Sequence, residues 1–420
     1  MSKKLLKNSF IFILGDILNR SVPFFMLPIL TRYLTPDDYG IISIFSVSVG
    51  ILSVFIGLSV EGAINVNFFQ LTKEKLKEYI GNTIIILNIS TILVLLIVLL
   101  FFPYILQHLK LEKEWLIVAV FLAFSQFFTT INMLLWTAEQ NPKAYSFYKI
   151  VQTLITTILS ILLVVGLGLG WEGQLLATSI ASVLFSMISF IFILKRGYLI
   201  FKFNKNYLED ALKFGVPLVP HALSGWIKTG ADRVVLMSLL GATATGIYSV
   251  GYQLGMVISI IVTAFNKAWS PYLFKILANN PSQKQKKQLV FYSYIYFIAI
   301  FFLAIVVSYI LELIIPYFLG ERFIQSSKYI LYFSLAFAFG GMYFMVTNYI
   351  FFVKKTHILA MITFATAIIH IALLYILISL HGAIGAAEAT LLSYIITFIV
   401  TWWLSNKVYA MPWKFWKSDV

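Results

Sequence analysis

The sequence has no cysteine, which excludes disulfides, thiolate metal sites and a cysteine nucleophile. Charge is scarce as well. Asp, Glu, Lys and Arg make up 11% of the 420 residues, where a soluble domain carries about 25%. With 60% hydrophobic residues and a mean hydropathy of +0.91, too little polar surface remains to cover one water-soluble core of this size. Soluble-enzyme classes are therefore set aside. Histidine is rare and scattered (His108, His221, His357, His370, His381), with no H-E-x-x-H or similar metal spacing. No G-x-x-x-x-G-K-[ST] occurs, so the chain carries no P-loop. Gly166-Leu167-Gly168-Leu169-Gly170 reads as a helix end. Acidic residues are the scarcest charge, 17 against 31 Lys and Arg, for a net +14. On so apolar a chain, that excess first raises the question of where the charges lie along the sequence.

What is present in abundance is long apolar runs. A membrane span needs roughly 20 mostly apolar residues. That criterion predicts twelve spans, at 9–33, 40–63, 81–106, 115–138, 147–169, 173–194, 214–240, 246–270, 290–316, 327–352, 357–380 and 384–404. The basic start Met1-Ser2-Lys3-Lys4-Leu5-Leu6-Lys7 precedes a run too long for a signal peptide, with no small-residue cleavage site. It reads as the approach to the first span. No connection is long enough for a soluble domain, which argues against a glycosyltransferase or polymerase. An active site between helices stays open.

The basic residues orient the spans. Arg20, Lys228 and Arg233 lie within spans, and Arg32, Lys110, Lys113, Arg322 and Lys328 fall on one set of alternate connections. The other 23 of the 31 fall on the opposite set and the two termini. Such a bias marks the cytoplasmic side and predicts both termini inside. The tail Met411-Pro412-Trp413-Lys414-Phe415-Trp416-Lys417 reads as an interfacial anchor, rings at headgroup level and lysines in water.

The two halves look like a repeat. An offset of 206 residues carries Lys7 onto Lys213, Leu30 onto Leu236, Leu34 onto Leu240, Gly40 onto Gly246, Ile41 onto Ile247 and Ser43 onto Ser249. The first span holds Pro23 and Pro28, the seventh Pro217 and Pro220. The expected architecture is an all-α membrane protein of two six-helix lobes, related by a parallel pseudo-two-fold axis. The expected divisions are a lobe over 1–200, a linker over 201–213, a lobe over 214–405 and a tail over 406–420.

The stretch Leu34-Thr35-Pro36-Asp37-Asp38-Tyr39-Gly40, the run Phe214-Gly215-Val216-Pro217-Leu218-Val219-Pro220-His221-Ala222-Leu223-Ser224-Gly225-Trp226, the pair Asp232-Arg233 and Gly246-Ile247-Tyr248-Ser249 carry a resemblance. The chain resembles the Wzx-type polysaccharide flippases of the multidrug/oligosaccharidyl-lipid/polysaccharide exporter superfamily, which share a MATE-like fold. The resemblance covers the whole chain in length and span count. It is most specific from the seventh span into the eighth. It implies alternating access around a central cavity, no catalysis, and a place in the bacterial inner membrane. The implied cargo is undecaprenyl-pyrophosphate-linked oligosaccharide, moved to the outer leaflet for O-antigen, capsule or exopolysaccharide. Implied partners are the bilayer and the polymerase and chain-length machinery of such a pathway. No cofactor is implied, and H+ or Na+ coupling is left open. A multidrug antiporter of the same superfamily is the alternative. Peptidoglycan-precursor flippases usually have two more spans, for which this chain has no room.

Ionisable groups within spans are costly and usually face a bundle interior or a wet cavity. On helical periodicity, Ser9, Asp16, Asn19, Arg20 and Pro23 share one side of the first span. His221, Ser224, Gly225, Lys228 and Asp232 do the same in the seventh. Asp16–Arg20 and Lys228–Asp232 are i,i+4 pairs, close enough to interact. Arg20, Lys228 and Arg233 are candidate ligands for pyrophosphate or acidic sugars, with Arg able to hold phosphate bidentately and Lys acting as a point charge. Against this, each acid–base pair neutralises itself and can simply staple helices together. Acidic groups at midplane are offset by Arg and Lys here, which favours anionic cargo over the cations of a drug antiporter. Glu61 maps onto Lys267 by the same offset, a candidate latch or two solvated helix ends. His370, on one helix side with Thr363 and Thr366, and Glu388 are candidates for ion coupling, with a packed, hydrogen-bonded histidine as the plain alternative.

Overall fold

A computed structural model describes residues 3–414, except that the side chains of residues 3–13, Asp16 and Arg20 lie outside the described set. The described backbone is helical and holds no strand. In chain order the helices are α1 (Lys3–Tyr33), α2 (Pro36–Phe55), α3 (Glu61–Gln70), α4 (Lys73–Leu100), α5 (Phe102–Leu109), α6 (Lys113–Ala138) and α7 (Pro142–Ser160). They continue as α8 (Gly170–Lys195), α9 (Lys205–Gly215), α10 (Val219–Ala278), α11 (Gln283–Phe318), α12 (Ser327–Phe352), α13 (Thr356–His381) and α14 (Ala383–Val408). Helices suit the sequence because a bilayer offers no partner for backbone N–H and C=O groups, and a helix pairs them internally.

Each of the twelve predicted spans has a helix. Apart from α1, whose 31 residues hold the first span, ten segments are long and apolar enough to cross a membrane. One of these, 205–278, contains two spans. Gly241 (φ 83°, ψ −175°) breaks α10 between them, in a conformation open to glycine alone. The second span is shorter than predicted. Gly57, Leu58 and Ser59 all have positive φ, so α2 stops at Phe55, and Glu61 opens α3 instead of closing α2. The break is stabilised by a bond from the Gly57 N–H to the Ser90 hydroxyl (2.9 Å). Local capping sets other ends. Thr35 and Asp38 form a capping box at α2 and Ser282 and Gln285 one at α11, satisfying N–H groups the helix cannot.

The chain divides into two compact units, Met1–Gly246 and Ile247–Val420. This division follows packing, and it groups residues 219–246 of α10 with the first unit. In lipid the hydrophobic effect does not draw helices together, so small residues and interhelical hydrogen bonds must. The first unit shows both. Tyr148 of α7 bonds to Ser189 (2.5 Å) and to the Phe185 carbonyl of α8, and Ser186 donates to the Ser125 carbonyl of α6. Its core runs through Ile44, Ile80, Leu87, Val120, Ile131 and Leu135. In the second unit α12 is the central helix, with Tyr329, Phe333, Val346 and Tyr349 almost fully buried. Gly251 and Gly255 of α10 let it approach Tyr329 and Phe333 closely.

Candidate functional site

The loop after α1 and the break in α10 meet inside the first unit, and they meet symmetrically. A Cβ on Gly40 would overlap the Ala242 carbonyl, and one on Gly246 would overlap the Pro36 carbonyl. The 206-residue offset turns the first contact into the second. The hydroxyl of Thr243 donates to Asp37 at 2.8 Å, a pair itself separated by 206 residues. Equivalent positions that touch each other lie on a two-fold axis. The repeat suggested by weak sequence matches is thus visible as three reciprocal contacts at one end of the spans, where Lys110 also approaches Gly241.

The two glycines allow this closeness, because the opposing atoms are backbone and cannot swing aside. Alanine at Gly40 or at Gly246 is expected to lower stability by about 1–3 kcal/mol, the usual cost of overpacking. The two costs should match, since the contacts are equivalents. Thermal unfolding of the detergent-solubilised protein measures both. If one glycine accepts alanine and the other does not, the two-fold relation fails.

Below this contact, the stretch 219–240 presents two unlike faces. One packs on α2. The Trp226 indole N–H donates to the Val47 carbonyl (3.0 Å), and the ring lies against Gly50 and Gly230 (3.3 and 3.1 Å from where their Cβ atoms would stand). The other face carries the predicted polar residues. His221 is exposed, Lys228 is half-buried, and a Cβ on Gly225 would meet none of the described residues within 4 Å. Open space therefore adjoins the helix one turn before Lys228. Ser224 is buried and its hydroxyl bonds back to the Pro220 carbonyl (2.8 Å). Asp232 is fully buried and Arg233 nearly so. Asp232 accepts from both the Arg233 backbone N–H (2.9 Å) and its guanidinium (3.3 Å). The same guanidinium donates to the Thr229 carbonyl (2.6 Å). Arg233 is thus folded onto its own helix.

In α1, Asn19 accepts a hydrogen bond from the Thr153 hydroxyl of α7. Asp16 and Arg20 lie outside the described side chains. Glu61 is half-buried at the start of α3 and Lys267 is exposed on α10. His370 is buried, with Nδ1 2.8 Å from the Ser393 hydroxyl of α14. Thr366 is buried near it on α13, while Thr363 is exposed. Glu388 meets His381 (2.5 Å) across the α13–α14 turn, a partner that sequence spacing did not single out. Among the described residues no cluster of three His, Asp or Glu suits a metal ion.

Sequence reasoning also missed the polar network at the opposite end of the first unit. Arg196 pairs with Glu139 (2.5 Å) and donates to the buried Asn132 (3.0 Å). Tyr198 donates to Glu139 (2.7 Å). Burial, reinforced by that carboxylate, pushes the Tyr198 phenol up to about 12. The partners are distant in sequence, and only their polarity beside an apolar run could have signalled them.

The pattern of the family described as "Polysaccharide biosynthesis protein" matches residues 5–277. Protein 1 of the Lsg locus of Haemophilus influenzae is 25% identical over 413 residues, covering 94% of this chain and 98% of that protein. An uncharacterised membrane protein of the same organism is 26% identical over 356 residues, covering 84% and 85%. Among solved structures, the lipid II flippase MurJ in an inward closed conformation superposes with a TM-score of 0.70 at 14% identity, over 96% of this chain and 86% of that one. An inward-facing multidrug-resistance MATE transporter gives 0.69 at 14% identity, over 93% and 95%. The fold is that of these multi-pass membrane transporters.

Proposed function

Because the chain belongs to the polysaccharide biosynthesis protein family, we propose that it is a flippase for lipid-linked oligosaccharide. The cargo is an undecaprenyl-pyrophosphate-linked repeat unit, carried from the cytoplasmic to the outer leaflet of the bacterial inner membrane for surface polysaccharide. The observation that carries this reading is the family match, which spans both loop motifs and the polar face of residues 219–240. The asymmetric placement of Lys and Arg supports cytoplasmic termini and puts the Asp37–Thr243 contact at the outer end.

That contact suits a gate. It consists of close glycine–backbone packing and one exposed hydroxyl–carboxylate bond, so parting it strips no buried ion pair and costs far less than breaking one would. Beneath it, Lys228 beside the space at Gly225 supplies a cation for the pyrophosphate, with Arg20 as its repeat-related counterpart in depth. His221 and Asn19 supply hydrogen-bonding groups for sugar hydroxyls. The reading assigns no bond-making chemistry to these residues. The Glu61–Lys267 latch and ion coupling through His370 or Glu388 remain proposals of the same scheme, as do contacts with polymerase and chain-length proteins.

Loss of this chain from its host should abolish surface polymer and leave lipid-linked oligosaccharide on the inner leaflet, and its return should restore export. Normal polymer together with heightened drug sensitivity would favour the antiporter instead.

A further inference from the structure

The connection between α8 and α9 reads as a linker, yet it is clamped to α4 by its backbone. The Ile200 N–H donates to the Lys77 carbonyl (3.2 Å). Asn82, fully buried, donates through its amide nitrogen to the Lys202 carbonyl (2.9 Å) and accepts from the Asn204 N–H (2.9 Å). Gly81 lets the chain lie this close, since a Cβ there would overlap the Ile200 carbonyl. The Lys202 ammonium is held by Glu78 (3.0 Å), and Tyr198 and Leu199 are buried.

A segment so firmly held nevertheless leaves Phe201 64% and Phe203 69% exposed. Phe201 and Phe203 stand two residues apart in this connection, just before α9 begins at Lys205. Held in water, two neighbouring phenylalanines are an apolar patch with nothing to offset them. At the ends of membrane-spanning helices they have a ready cover in the boundary of headgroups and acyl chains. The charge around them fits one kind of surface. The nearby carboxylates are engaged within the unit: Glu74 with Lys77, Glu78 with Lys202, Glu139 with Arg196, Glu209 with Lys205 and Lys213, and Asp210 with Tyr79 (2.8 Å). Among the described residues, Lys75, Lys143 and Lys195 at this end have no such partner, and Lys73 lies over the Tyr198 ring (4.9 Å). The excess is positive, the charge that anionic headgroups attract.

We propose that residues 200–205 are a membrane-surface anchor, in which a clamped backbone seats Phe201 and Phe203 in the headgroup layer of an anionic leaflet. The partner is a lipid surface, and the proposal stands independently of which cargo the protein carries.

The absence of cysteine makes the test direct. Phe201→Cys, Phe203→Cys and Asn206→Cys, each spin-labelled in the full chain, are placed in bilayers of phosphatidylethanolamine with increasing phosphatidylglycerol. Labels at 201 and 203 should be more accessible to oxygen than to a water-soluble nickel complex, and shift deeper as phosphatidylglycerol rises. The label at 206 should remain nickel-accessible. Lys195→Gln should weaken the dependence on phosphatidylglycerol, and Asn82→Ala should make the 201 and 203 labels mobile. Nickel accessibility at 201 and 203 in every bilayer overturns the proposal. So does protection from both reagents, which would mean a protein partner covers the segment.

Discussion

Lys228→Ala and Arg20→Ala are each expected to abolish polymer export while the protein accumulates normally. Lys228 stands half-buried beside open space at Gly225, in the middle of a span where a cation is retained only for good reason. Hydrogen bonds to charged groups contribute about 1.5–3 kcal/mol, which corresponds to roughly ten- to a hundred-fold in the cargo-binding step. Lys228→Arg should retain much of the export, because the charge is kept. Surface polymer, measured with protein level in the same cells, checks both substitutions. Full export by both alanine variants would remove these residues as cargo ligands.

Asp232→Ala is expected to act differently, through stability. It removes the carboxylate that the Arg233 guanidinium, 8% exposed in its side chain, bonds at 3.3 Å. Breaking a buried pair by removing one partner costs about 3–5 kcal/mol, so folded protein should largely disappear. Replacing both members, Asp232→Ala with Arg233→Met, should recover much of that loss, since an apolar pair carries no stranded charge. Yield and thermal unfolding of single and double variants measure this. The double variant also separates two roles for Arg233. Export restored along with folding marks the pair as a staple; folding restored without export marks the pair as part of the cargo site.

The spans were legible because length and apolar content alone define them, whereas counting along a helix set Asp232 on the side of Lys228 and did not signal its bonds to the neighbouring Arg233. The early end of α2 was not legible, because Gly57-Leu58-Ser59 sits in an unbroken apolar run and its turn depends on Ser90 in another helix. Gly40 and Gly246 stood out as repeat positions, but weak identity carries no contact information. Their meeting required the fold. Glu388 stands out in the sequence as a candidate for ion coupling, but its partner does not, because it is the turn at Gly382 that brings His381 to it. The clamp on residues 200–205 was hidden for a related reason: Asn82 lies 120 residues from the carbonyl it holds, inside a span where an asparagine looks like an incidental polar residue.

The central claim is transport of a lipid-linked sugar, and purified protein in liposomes tests it most directly. Fluorescent undecaprenyl-pyrophosphate-linked oligosaccharide is loaded into both leaflets, and a membrane-impermeant quencher reports the fraction exposed outside. With the chain present, the inner-leaflet pool should become accessible over time, and Lys228→Ala should prevent this. An inner pool that stays protected, with active protein shown by movement of a cationic drug, would contradict the account.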